Sequence, residues 1–149
     1  MDSPISIELT QREGYRFEVA FQSAGVAPLA TDAPRPLGEE SGPNSEELLL
    51  AAVANCLAAS LLFSLRKYGN EPGPIEAVAA ATLVRNEQGR SRVGSIDVRI
   101  RLGVAASTMR LLDRAVDQFE DHCVVTQSVR AAIPVRVRLQ DIHGVVLKA

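Results

Sequence analysis

The sequence predicts an α+β fold, and three observations lead to that class. Two segments near the N-terminus and one over residues 96–102 alternate apolar and polar residues, as half-buried strands do, and residues 75–84 form a further, more apolar strand. One long apolar helix lies between the two pairs, and shorter helical segments precede a last strand that begins at Pro134. The resulting order, β-β, long α, β-β, α, α, β, lacks the regular βαβ alternation of a parallel sheet.

Length, composition and charge narrow the class of protein further. A chain of 149 residues is long enough for one domain with a real core, so we expect a single domain over residues 1–149. Hydrophobic residues make up 46% and charged residues 23%, which is typical of a soluble globular protein. A net charge of -2 with scattered basic residues argues against a nucleic-acid partner, because phosphate binding needs clustered Lys and Arg.

Neither export nor a membrane span is expected. The opening MDSPISIELTQ has acid at position 2 and lacks the basic and then apolar order of a secretory leader, so we expect a cytoplasmic protein. The longest apolar run, over residues 48–65, is interrupted by Asn55, Ser60 and Ser64 and therefore reads as a buried soluble helix.

The N-terminal third predicts a β-hairpin followed by a long loop. Apolar residues alternate over 5–9 and again over 15–21, and Arg12, Glu13 and Gly14 form a turn between them. Residues 22–44 contain seven Gly and Pro residues, which exclude a long regular element and leave room for one short strand.

The long helix has clear start and stop signals. Asn44 and Glu47 form a capping-box pattern at its start, and Gly69 provides a stop just after Tyr68. About 25 residues at ~1.5 Å each give a rod of roughly 37 Å. Because apolar residues nearly encircle it, we expect burial on several sides, by a sheet or by a second chain, and dimerisation is the economical solution.

The second half of the chain predicts the remaining strands and helices. Strands are expected over residues 75–84 and 96–102, and apolar residues at spacings of three and four predict a helix from a cap at Ser107 to about His122. Cys123 follows that helix directly. The last elements are a short helix over 124–132, a strand over 134–139 and an apolar tail over 145–147.

Two segments resemble a known family. The stretch from Gly42 to Cys56, GPNSEELLLAAVANC, resembles the helix opening of OsmC/Ohr (organic hydroperoxide resistance) proteins, and Cys123-Val124-Val125-Thr126 resembles their second cysteine box. With the 67-residue gap between the cysteines, the resemblance extends from about residue 40 to residue 139. It implies an intertwined homodimer in which mainly antiparallel sheets surround a long central helix, with one thiol site per chain.

The resemblance also implies a chemistry. A peroxidatic Cys56 thiolate would attack the O–O bond of an alkyl or fatty-acid hydroperoxide, Cys123 would resolve the sulfenic acid, and a dithiol such as a lipoyl group would reduce the disulfide. No metal, flavin or haem would be required. The chain departs from the family at Ser45 and Val124, where proline is frequent.

The same resemblance suggests the groups that activate Cys56. Arg12 is the best match to the family's activating arginine, with Arg16 and Arg35 as rivals, and Glu46 matches the carboxylate that holds this arginine. A cation is needed because Cys56 lies about 12 residues after the cap, beyond the reach of the helix dipole. Glu46 precedes Cys56 by ten residues, about 15 Å along the helix, so we expect it to serve the partner chain's site.

Alternatives remain at this stage. The first is a redox-sensing or acyl-ligand-binding dimer without sustained turnover, and the second is a structural dimer in which both cysteines are inert core residues. The two cysteines and two histidines show no paired metal-ligand spacing. If Cys123 opens the short third helix, its thiolate would be favoured by the helix amides.

Overall fold

The computed structural model describes residues 3–149 in two compact units, one ending at Leu48 and the other running from Leu49–Ala149. Met1 and Asp2, on which part of the leader argument rests, lie outside the described residues. Over the described range the chain forms two sheets and three α-helices, which confirms the α+β class. The single domain over 1–149 stays a prediction.

The first unit contains a three-stranded antiparallel sheet. Strand β1 (Ile7–Gln11) pairs with β2 (Phe17–Phe21), and β2 pairs with β3 (Leu29–Thr31). The turn between β1 and β2 places Gly14 at a φ of 57°, a left-handed conformation that glycine adopts without steric cost. The predicted hairpin and short extra strand are therefore both confirmed.

A buried carboxylate organises the loop after β3. Asp32 is 4% exposed and accepts hydrogen bonds from the backbone N–H groups of Ala33, Glu39 and Ser41 and from the Ser41 hydroxyl, at 2.7 to 3.1 Å. The Ser41 hydroxyl is the main cause that lowers the pKa of Asp32 to about 2. Gly38 passes so close that an added Cβ would lie 2.2 Å from the Ala33 carbonyl oxygen.

Helix α1 (Ser45–Lys67) begins and ends where its sequence signals predict. The Asn44 side chain accepts a hydrogen bond from the Glu47 N–H, and the Glu47 carboxylate accepts one from the Asn44 N–H, each at 2.9 Å. This reciprocal pair is a capping box. At the other end Gly69 has a φ of 77° and donates its N–H to the Arg66 carbonyl at 2.9 Å.

The second unit contains a four-stranded sheet in the order β4-β5-β6-β7. Strands β4 and β5 are antiparallel, β5 and β6 are parallel, and β6 and β7 are antiparallel. The parallel pair is possible because the intervening segment of about thirty residues, including two helices, returns the chain to the same end of the sheet. The strands are β4 (Glu76–Arg85), β5 (Ser91–Arg101), β6 (Val135–Gln140) and β7 (Val146–Lys148).

The core of this unit lies between the sheet and one face of α1. Residues at every fourth position of α1 are fully buried, because that spacing places them on one side of a helix. Alternate residues of β5 and β6 face them. The core includes Val53, Leu57, Leu61 and Leu65 from α1, Ile96, Val98 and Ile100 from β5, and Val135, Val137 and Leu139 from β6.

The helix predicted from Ser107 is wrong at its start. Helix α2 begins only at Leu112, after Leu111 with a φ of 50°, and Ser107 lies in a short 3₁₀ turn. Asn70 explains the difference, because its side chain donates to the Arg110 carbonyl at 2.8 Å and accepts from the Arg110 N–H at 2.7 Å. The elements here are α2 (Leu112–Gln118), a 3₁₀ turn (Phe119–His122) and α3 (Val124–Arg130).

Helix α1 has a large apolar surface that the chain itself does not cover. Its most apolar stretch has a mean hydropathy of 2.2, and by length and composition the helix could cross a membrane. Core helices of soluble proteins meet the same criteria, so this property does not place α1 in a bilayer. Only 28% of the stretch is buried within the chain, and Phe63 is 65% exposed, which leaves an apolar face open.

Candidate active site

Cys56 lies at the edge of the core-facing side of α1. It immediately precedes Leu57, which is fully buried, and the Cys56 side chain is itself only half-buried. Its thiol packs against the core cluster of the second unit. The i, i+4 spacing of the apolar residues therefore orients Cys56 so that one side meets the core and the other remains accessible.

Cys123 lies in the break between the 3₁₀ turn and α3. It has no exposed surface, and its thiol donates a hydrogen bond to the Thr126 hydroxyl at 2.9 Å. Its backbone is also held, because the Cys123 N–H bonds to the Glu120 carbonyl and the Cys123 carbonyl accepts from the Gln127 N–H. The resolving-cysteine candidate is thus buried and fixed in orientation.

The two thiols lie together within the second unit. Burial is the largest cause that raises the pKa of the Cys123 thiol, and the neighbouring Cys56 side chain raises the pKa further, whereas Thr126 acts in the opposite direction. A negative charge on Cys56 also disfavours ionisation of Cys123. Cys123 therefore holds its proton more tightly than a free thiol does.

The expected effect of the α3 amides on Cys123 is outweighed by burial. The Thr126 N–H lowers the pKa of the Cys123 thiol, but burial is the larger cause, and the pKa is raised overall. Desolvation outweighs the short helix because removing a thiolate from water is costly and the field of one turn is small.

A buried ionic cluster anchors the segment that carries Cys123. Glu120 is 8% exposed and pairs with Arg130 and Lys148, and Arg130 also donates to the Val135 carbonyl at 2.9 Å. Burial alone would raise the pKa of Glu120, but the two cations lower it overall. The sequence interpretation did not identify this cluster, because its members belong to separate elements.

Arg12 and Glu46 belong to the first unit. Arg12 is exposed on the hairpin turn and forms an ion pair with Glu18 at 2.8 Å. Glu18 had no assigned role, although it lies on the strand that follows the turn. Glu46 is exposed in the first turn of α1 and lines a groove of about 340 Å³ with Tyr15 and Phe17 among its walls. The roles of Arg12 and Glu46 at the thiols stay predictions.

Metal ligation has no support in the described range. Among residues 3–149, no three His, Cys, Asp or Glu side chains form a group that could hold a metal ion.

The chain is an α+β protein with two neighbouring free cysteines, and its sequence matches a known family. The family model described as OsmC-like protein matches residues 38–138, about two thirds of the chain. The chain belongs to this OsmC-like family. Proteins of the family are soluble.

Solved structures share the same fold. An OsmC-like protein from Mycoplasma pneumoniae has a TM-score of 0.76 at 13% identity, covering 96% of this chain and all of the other. An OsmC-like protein of unknown function from Vibrio cholerae has a TM-score of 0.74 at 19% identity, covering 91% and 99%. An organic hydroperoxide resistance protein from Elizabethkingia anophelis has a TM-score of 0.71 at 18% identity, covering 95% and 99%.

At such low sequence identities, these structural similarities establish a shared fold and no more. A comparison with curated protein sequences gave no significant match.

Proposed function

We propose that this protein is a thiol-dependent peroxidase that reduces organic hydroperoxides, with Cys56 as the peroxidatic and Cys123 as the resolving residue. The observation that carries the proposal is the proximity of these two thiols, the chain's two cysteines: the Cys56 side chain lies near enough to raise the pKa of the Cys123 thiol. The family and the hydroperoxide resistance of several structural neighbours support it.

The first step is attack by the Cys56 thiolate on the peroxide. The thiolate sulfur attacks one oxygen of the O–O bond, the bond breaks, and the leaving alkoxide takes a proton to become an alcohol. Cys56 becomes a sulfenic acid. Since Cys56 is half-buried beside an apolar helix face, the site favours hydroperoxides with an apolar body.

The second step joins the two cysteines. The Cys123 sulfur attacks the Cys56 sulfenic acid, a disulfide forms, and water leaves with the Cys123 proton. A raised pKa suits Cys123 to this order of events, because it holds a proton until the sulfenic acid has formed. An external dithiol, such as a lipoyl group, then reduces the Cys56–Cys123 disulfide. The external dithiol is oxidised to its own disulfide, and both cysteines return to thiols.

We further propose that the working protein is a cytoplasmic homodimer. The open apolar face of α1 supports this, since a second copy would cover it. In the dimer Arg12 would be the cation that attracts the Cys56 sulfur, and Glu46 would orient that arginine in the partner's site.

The test follows the two thiols by intact mass. One equivalent of cumene hydroperoxide should remove both free thiols and two hydrogens from the wild-type chain, and dihydrolipoamide should restore them. Cys56→Ser should consume no peroxide. Cys123→Ser should stop at a sulfenic acid that dimedone traps.

Two outcomes contradict the proposal. Full turnover by Cys56→Ser would remove Cys56 from the mechanism. Consumption limited to one equivalent per site, even with excess dithiol, would instead support a redox sensor or acyl-ligand carrier of the same fold.

A further inference from the structure

The outer face of the four-stranded sheet carries more arginines than acidic residues. Buried and exposed residues alternate along β5 and β6, so one face packs on the core and the other meets solvent. Strand pairing arranges the exposed residues in three rows across the sheet. The rows are Ala80, Asp97 and Arg136; then Val78, Arg99 and Arg138; then Glu76, Arg101 and Gln140.

The middle row places two arginines side by side. Arg99 is the direct register partner of Arg138 on the parallel strand, and its partner on the other side is Val78. Like charges directly opposite each other in a sheet are destabilising. Over the described residues neither guanidinium has a carboxylate within ion-pair distance, so no ion pair offsets the repulsion.

A groove lies over this pair. Its volume is about 580 Å³, within the range of small-molecule sites, and its lining includes Arg99, Arg101 and Arg138 with one acidic side chain, Glu76. Arg101 donates one N–H to the Ile142 carbonyl, which holds it at the groove edge.

The groove is also partly apolar. Val78 and Val146, which are among its lining residues, are 59% and 66% exposed. Lys148 lines the groove as well, but its ammonium group pairs with Glu120 on the core side and is not available to a ligand. The available cations are therefore the arginines, with two valines beside them.

We propose that this groove binds a phosphate monoester that carries a short apolar chain. Neighbouring strands lie about 4.8 Å apart, so two adjacent guanidinium forks can reach one phosphate group. A phosphate offers three acceptor oxygens and nearly two charges, which match a pair of arginines, whereas a carboxylate satisfies only one fork. The alkyl chain would lie on Val78 and Val146.

This site is separate from the proposed peroxidase chemistry. None of the groove residues is one of the cysteines, Arg12 or Glu46, and the proposal requires no reaction. Its failure would leave the peroxidase proposal untouched, and the reverse also holds.

The experiment is a calorimetric titration of the full chain with hexyl phosphate. Arg99→Gln and Arg138→Gln should each weaken binding about 10-fold or more, since each removes charge-assisted hydrogen bonds, and the double variant should show no binding. Arg114→Gln, an exposed arginine of α2, is the matched control and should bind as the wild type does. Circular dichroism should show that all four variants keep the fold.

Three results would overturn the proposal. The first is no binding of hexyl phosphate by the wild type. The second is equal affinity for hexanoate or hexanol, which would remove the role of the phosphate. The third is binding to phosphatidylglycerol vesicles without binding to hexyl phosphate, which would identify the face as a membrane contact.

Discussion

At the scale of single residues, the environment of Cys123 differs from that of Cys56. Cys123 is fully buried and bonded to Thr126, whereas Cys56 is half-buried. The sequence interpretation placed Thr126 in the second cysteine box without a role. Its spacing of three residues from Cys123, across the first turn of α3, was the available signal.

Replacing Thr126 with valine tests its contact with the thiol. Thr126→Val keeps the shape but removes the hydroxyl, so the free energy of unfolding should fall by about 1 kcal/mol. In a Cys56→Ser background, alkylation of Cys123 should also shift to higher pH, because Thr126 lowers the pKa of that thiol. Urea unfolding and labelling rates measure the two effects.

Ser128→Ala is the matched control for this prediction. Ser128 donates its hydroxyl to the Val124 carbonyl within the same helix and is exposed. Its loss should change neither measurement appreciably. A Thr126→Val protein with wild-type stability and an unchanged labelling profile would show that the hydroxyl does not act on Cys123.

At the scale of elements, the predicted helix bounds were correct where the residues that set them lie within a few positions of the helix end. The caps of α1 were predicted correctly because Asn44, Glu47 and Gly69 act within a few residues. The start of α2 was predicted wrongly because Asn70, 40 residues from Arg110, holds the backbone there. Periodicity cannot show a hydrogen bond from so distant a residue.

The stability that the loop after β3 gives to the fold should depend on pH through the Asp32 carboxylate. The folded pKa of about 2 lies below the usual value of 3.8, so Asp32 stabilises the fold fully only where the pH is well above that usual value. That contribution should be lost as pH falls through the folded pKa. The difference in unfolding free energy between wild type and Asp32→Asn should therefore shrink between pH 5 and pH 2.

The control for this prediction is Glu13→Gln, which changes an exposed carboxylate in the hairpin turn. Urea unfolding at a series of pH values should give no such convergence for this variant. A constant difference between wild type and Asp32→Asn across the same range would mean that the carboxylate charge does not hold the loop.

At the scale of the whole molecule, the open apolar face of α1 argues for a second chain. Helices that are apolar nearly all round are buried on several sides in stable proteins. In the second unit, one side of α1 contacts the sheet, while Phe63 is 65% exposed. The homodimer is the proposal that accounts for this surface.

Phe63→Glu tests that proposal. A charge in the interface would be desolvated without a partner, so the variant should shift from dimer to monomer in light scattering after size exclusion. Val78→Glu, on the outer face of the sheet, is the matched control and should remain dimeric. If both variants elute as the wild type, the dimer does not use the α1 face.

The sequence by itself determined the α+β class, the bounds of α1, the first hairpin and the two cysteine boxes, because these depend on neighbours within a few positions. Spacing did not place Cys56 beside Cys123, which only the family resemblance implied. Nor did it show that apparently scattered arginines meet at Arg99 and Arg138. Tertiary structure decided both, because contacts between distant positions depend on the parallel pairing of strands and the packing of α1, which no local pattern encodes.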